Sequence, residues 1–270
     1  MADHAHNLRA QAGPGRPFGV VTRGTTGQNR LRRSDRWTRH NARIQSVLRS
    51  SPRPLALDVG YGASHTTTVE WARWLRQINP SVEVVGLEIE PERVLPPRDG
   101  VRFQLGGFEL AGYRPHLVRA FNVLRQYDVA DVPEVWRTVT SCLAPGGYFL
   151  EGTCDELGRR AAWVLLDATG PLSLTLAWDP RDVSRPSDVA ERLPKVLIHR
   201  NSPGERIHAL LTDADAAWEH ATGWAPHGPR VRWAHAHAEL RERGWPLAPL
   251  RRTLRDNTLT VDWGAVAPHV

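Results

Sequence analysis

Lysine is almost absent from this chain. Lys195 is the only one among 35 basic residues, and the other 34 are arginine. A bias of that kind follows from GC-rich codon usage, so arginine abundance alone says little about partners. Cysteine is scarce too. Cys142 and Cys154 cannot build a disulfide framework, and their low number suggests a reducing compartment. No apolar run approaches the ~18 residues of a membrane span. The N-terminus has no apolar core to act as a secretory signal. A soluble cytoplasmic protein is the expectation.

Positive charge is present but unevenly placed. The net charge is +6 and the isoelectric point about 10.1, values that invite a nucleic-acid reading. Residues 1–53 hold 11 arginines against Asp3 and Asp35, a net of +9, so the remainder sums to −3. The body is not basic; the segment in front of it is. Residues 1–22 have no periodicity. From about residue 31 helical spacing begins, with Leu31, Trp37, Ile44 and Leu48 able to share a face up to Pro52. Residues 1–53 therefore read as a basic arm with one helix.

From residue 54 strands and helices alternate. Strands are expected at 55–60, 83–89, 101–105, 117–123 and 148–152, with helices at 66–78 and 131–142 between them. This spacing predicts a doubly wound, mostly parallel α/β sheet. Beyond 155 the pattern weakens. Strands at 162–166, 172–177 and 259–263 and helices at 186–198, 205–221 and 229–243 form a mixed extension.

The most informative stretch is 55–64, Leu-Ala-Leu-Asp-Val-Gly-Tyr-Gly-Ala-Ser. A short apolar strand carrying Asp58 runs into Gly60 and Gly62, where backbone can approach a ligand closely. Twenty-six residues after Gly62, a second apolar strand ends in Glu88. An acid at that tip is placed to accept hydrogen bonds from a ribose. A dinucleotide site would want a third glycine where this chain has His65. With no Tyr-x-x-x-Lys pair either, a nicotinamide-dependent oxidoreductase is disfavoured.

Asp58-x-Gly60-x-Gly62 with Glu88 resembles the class I S-adenosylmethionine-dependent methyltransferases. Leu143-Ala-Pro-Gly-Gly-Tyr-Phe-Leu resembles that family's passage into its fifth strand, and the resemblance covers about residues 55–153. It implies a methyltransferase domain at 54–270, with S-adenosylmethionine as cofactor and an antiparallel strand pair closing the sheet. It also implies cofactor contacts from Asp58, Gly60, Tyr61, Gly62, Glu88, Ile89, Gly107, Phe108, Phe121 and Asn122. Many relatives place an acid where this chain has Gly107, so a backbone group or Glu109 must serve the adenine amine.

The acceptor and the catalytic groups are less legible. The segment 119–124 resembles the fourth-strand segment of some methyltransferases, without the motifs of those acting on adenine amines or cytosine carbon. Glu109, Asn122 and Asp155 are candidate catalytic residues, and Glu151, Glu156, His65 and His116 lie near the same cleft. Arg23, Asn29, Arg30 and Arg33 suit a lid over the acceptor or, if the acceptor is RNA, phosphate contacts. A small-molecule acceptor is slightly favoured over RNA because the body has no basic face. His220, His227, His235 and His237 tempt a metal reading, but their helical spacing does not bring them together and no metal is expected. A protein that binds the cofactor for regulation or interaction, without transfer, is the alternative.

Overall fold

The computed structural model describes residues 17–19, 27–250 and 256–268. Arg23 lies outside them. Two helices lead in, α1 (Arg32–His40) and α2 (Ala42–Ser50). Then β1 (Leu55–Val59), α3 (Thr66–Arg76), β2 (Glu83–Glu88), β3 (Val101–Leu105), β4 (Leu117–Phe121), α4 (Val132–Ser141) and β5 (Tyr148–Cys154) form the wound core. The chain continues through β6 (Arg160–Asp167), β7 (Gly170–Trp178), the short α5 (Lys195–Ile198), α6 (Arg206–His220), α7 (Pro229–Glu242) and β8 (Asn257–Asp262).

Among the described residues eight strands make one sheet in the order β3-β2-β1-β4-β5-β6-β7-β8. Pairings among β1 to β5 are parallel, while β5–β6, β6–β7 and β7–β8 are antiparallel. The expected doubly wound, Rossmann-like sheet is present, with three antiparallel closing strands rather than a pair. Strand order reverses between β1 and β4, which creates the crevice where such sheets take ligands.

Alternation along each strand sorts residues onto two buried faces. Leu57, Val59, Val118 and Phe149 share one core with α4, α6 and α7; Ala56, Leu117 and Leu150 share the other with α1, α2 and α3. Where one helix is expected before β1, two are found. Asn41 is extended (φ −75°, ψ 121°) and its side chain accepts from the N–H groups of Arg43 and Ile44, so it caps α2 and ends α1.

These helices do not form a free arm. Trp37, Ile44 and Leu48 are buried, and Trp37 meets Trp163 of β6 edge-on at 5.5 Å. The reason is electrostatic as well as apolar. Asp35 of α1 reaches through to Arg119 of β4, which is fully buried.

Candidate functional site

The switch point is built from four strand ends. Gly60 and Gly62 follow β1 with φ of +70° and +79°, a backbone that favours glycine. A Cβ on Gly60 would also lie 2.7 Å from the Val123 side chain, which follows β4. Glu88 ends β2 and is buried; its Oε2 accepts from the Gly62 N–H at 3.0 Å and its Oε1 from the Ile89 N–H at 3.0 Å. Gly107 and Phe108 follow β3. Gly60, Glu88, Ile89, Gly107 and Phe108 line one small cavity together with Val59, Val123 and Tyr127.

Its volume is only about 10 Å³, because the chain at Phe18 and Gly19 lies in it. The Phe108 N–H donates to the Phe18 carbonyl at 2.8 Å, and the Phe18 N–H donates to Glu109 Oε2 at 2.6 Å. Any side chain at Gly107 would collide with the Phe18 carbonyl. Nothing in the composition of residues 1–22 signals this strap.

Other expected contacts are placed elsewhere. Asp58 shares a face with Arg119, its register partner across β1 and β4, under α3. Arg119 donates from Nε to Asp58 Oδ1 at 2.9 Å and from Nη2 to Oδ2 at 2.6 Å, and Thr68 donates to Oδ2 at 2.7 Å. Tyr61 is likewise turned into the second core, where its hydroxyl donates to the Arg93 carbonyl and its ring meets Phe103 at 4.9 Å. Burial pushes that phenol up to about 12. Phe121 packs over Gly152 and beside Trp163, inside the same core.

The catalytic candidates are mostly engaged. Both oxygens of Glu109 accept backbone N–H groups, from Gly107 at 2.7 Å and from Phe18. Asp155 holds the β5–β6 turn, accepting from the Arg159 N–H at 2.7 Å. Asn122 sits at φ +61° at the end of β4, its Oδ1 accepting from the Cys154 N–H at 2.9 Å. Burial raises the Cys154 thiol, which disfavours a thiolate nucleophile. Glu151 faces the first core with no ion pair among the described residues, and burial pushes its carboxyl up to about 8.

The expected lid residues reach two places. Asn29 donates its N–H to Glu70 of α3 at 3.0 Å, and Arg30 donates from Nε to the Asp155 carbonyl at 3.0 Å. Arg33 is buried, paired with Asp179 at 3.0 Å and Asp256 at 3.1 Å and donating to the Gly158 carbonyl. It is therefore a structural tie between α1 and the ends of β7 and β8. Arginine this deep was not separable by sequence from its ten neighbours in the basic segment.

No protein-family model matches the chain, and no curated protein does. Among solved structures it is similar in part to the sugar N-methyltransferase KedS8 from Streptoalloteichus sp ATCC 53650, at 15% identity and a TM-score of 0.34, over 60% of this chain and 76% of that one. Human N-acetylserotonin methyltransferase, in complex with SAM, gives 20% identity and 0.30, over 46% of this chain and 40% of that one. The cyclopropane synthase MmaA2 from Mycobacterium tuberculosis gives 19% and 0.30, over 42% and 41%. The chain thus spans about two fifths of the last two proteins. Likeness at this level concerns the fold alone.

Proposed function

We propose that the chain is a methyltransferase that draws its methyl group from S-adenosylmethionine. The observation that supports this most is the convergence of Gly60, Glu88, Ile89, Gly107 and Phe108 at the switch point. In this reading Glu88 accepts the ribose hydroxyls and Ile89 and Phe108 flank the adenine. The positive-φ turn at Gly60 and Gly62 passes beside the methionine part. The bound donor would supply a methyl group already activated on a sulfonium. The protein's part is to align an acceptor over the ends of β4 and β5 and to exclude water, which can provide much of the rate without a strong base. A small acceptor is the reading that the acidic body favours.

The lining residues suit this donor, but the space does not admit it while Phe18 and Gly19 are in place. Ligands of this size need roughly 300 Å³ or more. Donor binding therefore requires residues 17–19 to be displaced. A second reading, a protein that binds the donor but does not transfer its methyl, carries the same requirement. A methyl-transfer screen over metabolite and RNA pools separates the two.

Calorimetry with S-adenosylhomocysteine tests the donor site. Removing residues 1–19 is expected to raise affinity, because the strap no longer competes. Glu88→Gln keeps an acceptor for the Gly62 N–H but loses the charge, and is expected to weaken binding by about 1.5–3 kcal/mol. Absence of binding to both the full chain and the shortened one would sink the proposal.

A further inference from the structure

The largest cavity among those described is not the switch-point depression. It has a volume of about 520 Å³ and lies between α1, the turn after β7 and the start of α7. Among the described residues five arginines line it: Arg32, Arg33, Arg36, Arg181 and Arg230. Asp179 and Asp256 also line it, and both are engaged by Arg33, with Asp256 additionally 3.6 Å from Arg36. Arg32 and Arg181 make no ion pair within 4 Å among the described residues, although Arg32 acts on Asp256 at longer range. Arg32 spends one nitrogen on the carbonyls of Asn29 and Leu157. The first turn of α7 adds its positive end, since Gly228 precedes it at φ +97° with no side-chain cap.

An exposed aromatic ring lies next to the lining residue His227. Trp224 is 43% exposed. Its ring stacks on His235 at 3.7 Å and 7°, and lies 5.7 Å from the ring of His227, which lines the cavity. Among the described residues Val231 is an exposed large hydrophobic directly after the lining residues 227–230, and Leu157 is another, its carbonyl accepting from Arg32 Nη1. Polyanion sites that also read bases combine cationic walls with an exposed stacking ring.

We infer that this cavity binds a nucleoside phosphate, with the phosphate among Arg32, Arg181 and the start of α7 and the base stacked on Trp224. The ligand is a free nucleotide or one unit of a single-stranded RNA; the recognising chemistry is the same. A cavity of this volume has the size of small-ligand pockets. It opens on the same edge of the sheet as the switch point, because β7 ends there and β8 begins there. With strands about 4.8 Å apart, β7 lies roughly 15 Å from β4. The inference does not depend on the donor proposal.

The test is fluorescence anisotropy of the full-length protein with a fluorescein-labelled single-stranded RNA of about twelve nucleotides. Unlabelled adenosine 5′-monophosphate and inorganic phosphate serve as competitors. RNA is expected to bind, and the mononucleotide to compete far better than phosphate. Trp224→Ala should weaken RNA at least about fivefold, the lower range for one stacked base. Arg32→Ala with Arg181→Ala should weaken it further and reduce the salt slope by about 1.4, two phosphate charges' worth for a single strand. If the mononucleotide binds as tightly as the RNA, the ligand is a free nucleotide; if the RNA is far tighter, it is a strand. Equal competition by phosphate and mononucleotide, or wild-type RNA affinity in the double arginine variant, overturns the inference. None of these residues lines the switch-point cavity, so S-adenosylhomocysteine affinity is expected to stay unchanged, and failure here is distinguishable from failure of the donor proposal.

Discussion

Arg119→Met is expected to destabilise the protein by about 3–5 kcal/mol, the range for removing one partner of a buried ion pair. Arg119 has no exposed surface and donates to Asp58, to Asp35 at 2.8 Å and to the Thr67 carbonyl at 2.9 Å. Its guanidinium also lies 4.4 Å from the centre of the Trp71 ring. Without it two carboxylates remain buried without their closest counter-charge, and Asp35 keeps only the weaker influence of Arg36. Burial already pushes Asp35 up to about 7 despite the arginine. Urea denaturation at pH 7 measures the loss. Adding Asp58→Asn and Asp35→Asn to Arg119→Met should recover much of it, because the stranded charges are then gone. Arg119→Lys should rescue poorly, since one ammonium cannot reproduce a fork that serves three partners. A loss below about 1 kcal/mol in Arg119→Met would mean that water or rearrangement reaches these carboxylates.

The second large effect belongs to Glu151, and it depends on pH. Its carboxyl is held at about 8 in the fold against an ordinary value of 4.5, and burial is the cause. Between those values the unfolded chain releases the proton and the folded chain keeps it. The unfolded state then binds fewer protons, so stability falls as pH rises from about 4.5 to about 8 and levels off above. At 1.36 kcal/mol per unit the full penalty approaches about 5 kcal/mol. Glu151→Gln has no proton to lose. Its stability relative to wild type is therefore expected to rise through that window, from near parity at pH 4.5 to a gain of several kcal/mol at pH 8. Asp35 titrates in an overlapping window in both proteins, so the difference between the two curves isolates Glu151. Parallel curves would show that Glu151 is ionised in the fold.

Both residues bear on how the site works. The Asp35–Arg119–Asp58 set ties α1 to β1 and β4 directly beneath the glycine turn. Rigidity of that turn is thus coupled to the N-terminal helices, which are part of the fold's core and not an appendage. Removal of residues 1–53 is accordingly an unfolding change, whereas removal of residues 1–19 takes away only the strap among the described segments.

The sequence by itself determined the elements and the outline of the crevice. Apolar runs of strand length, the Gly60–Gly62 turn and the interval to Glu88 are local patterns, and local backbone preferences obey them: β3 is found at the expected 101–105, and Glu88 faces Gly62 across 26 residues. Tertiary structure alone decided which side chains face the crevice. A strand's two-residue period turns Asp58 toward α3 although Gly60 stands two residues away, and its partner Arg119 is 61 residues distant. The same holds for Phe18, which reaches Glu109 across 91 residues, and for Arg33, which reaches Asp179 across 146. A pattern read along the chain carries periodicity and turn chemistry. It does not carry register or the pairing of buried charges, which are settled only when distant segments compete for the same desolvated space.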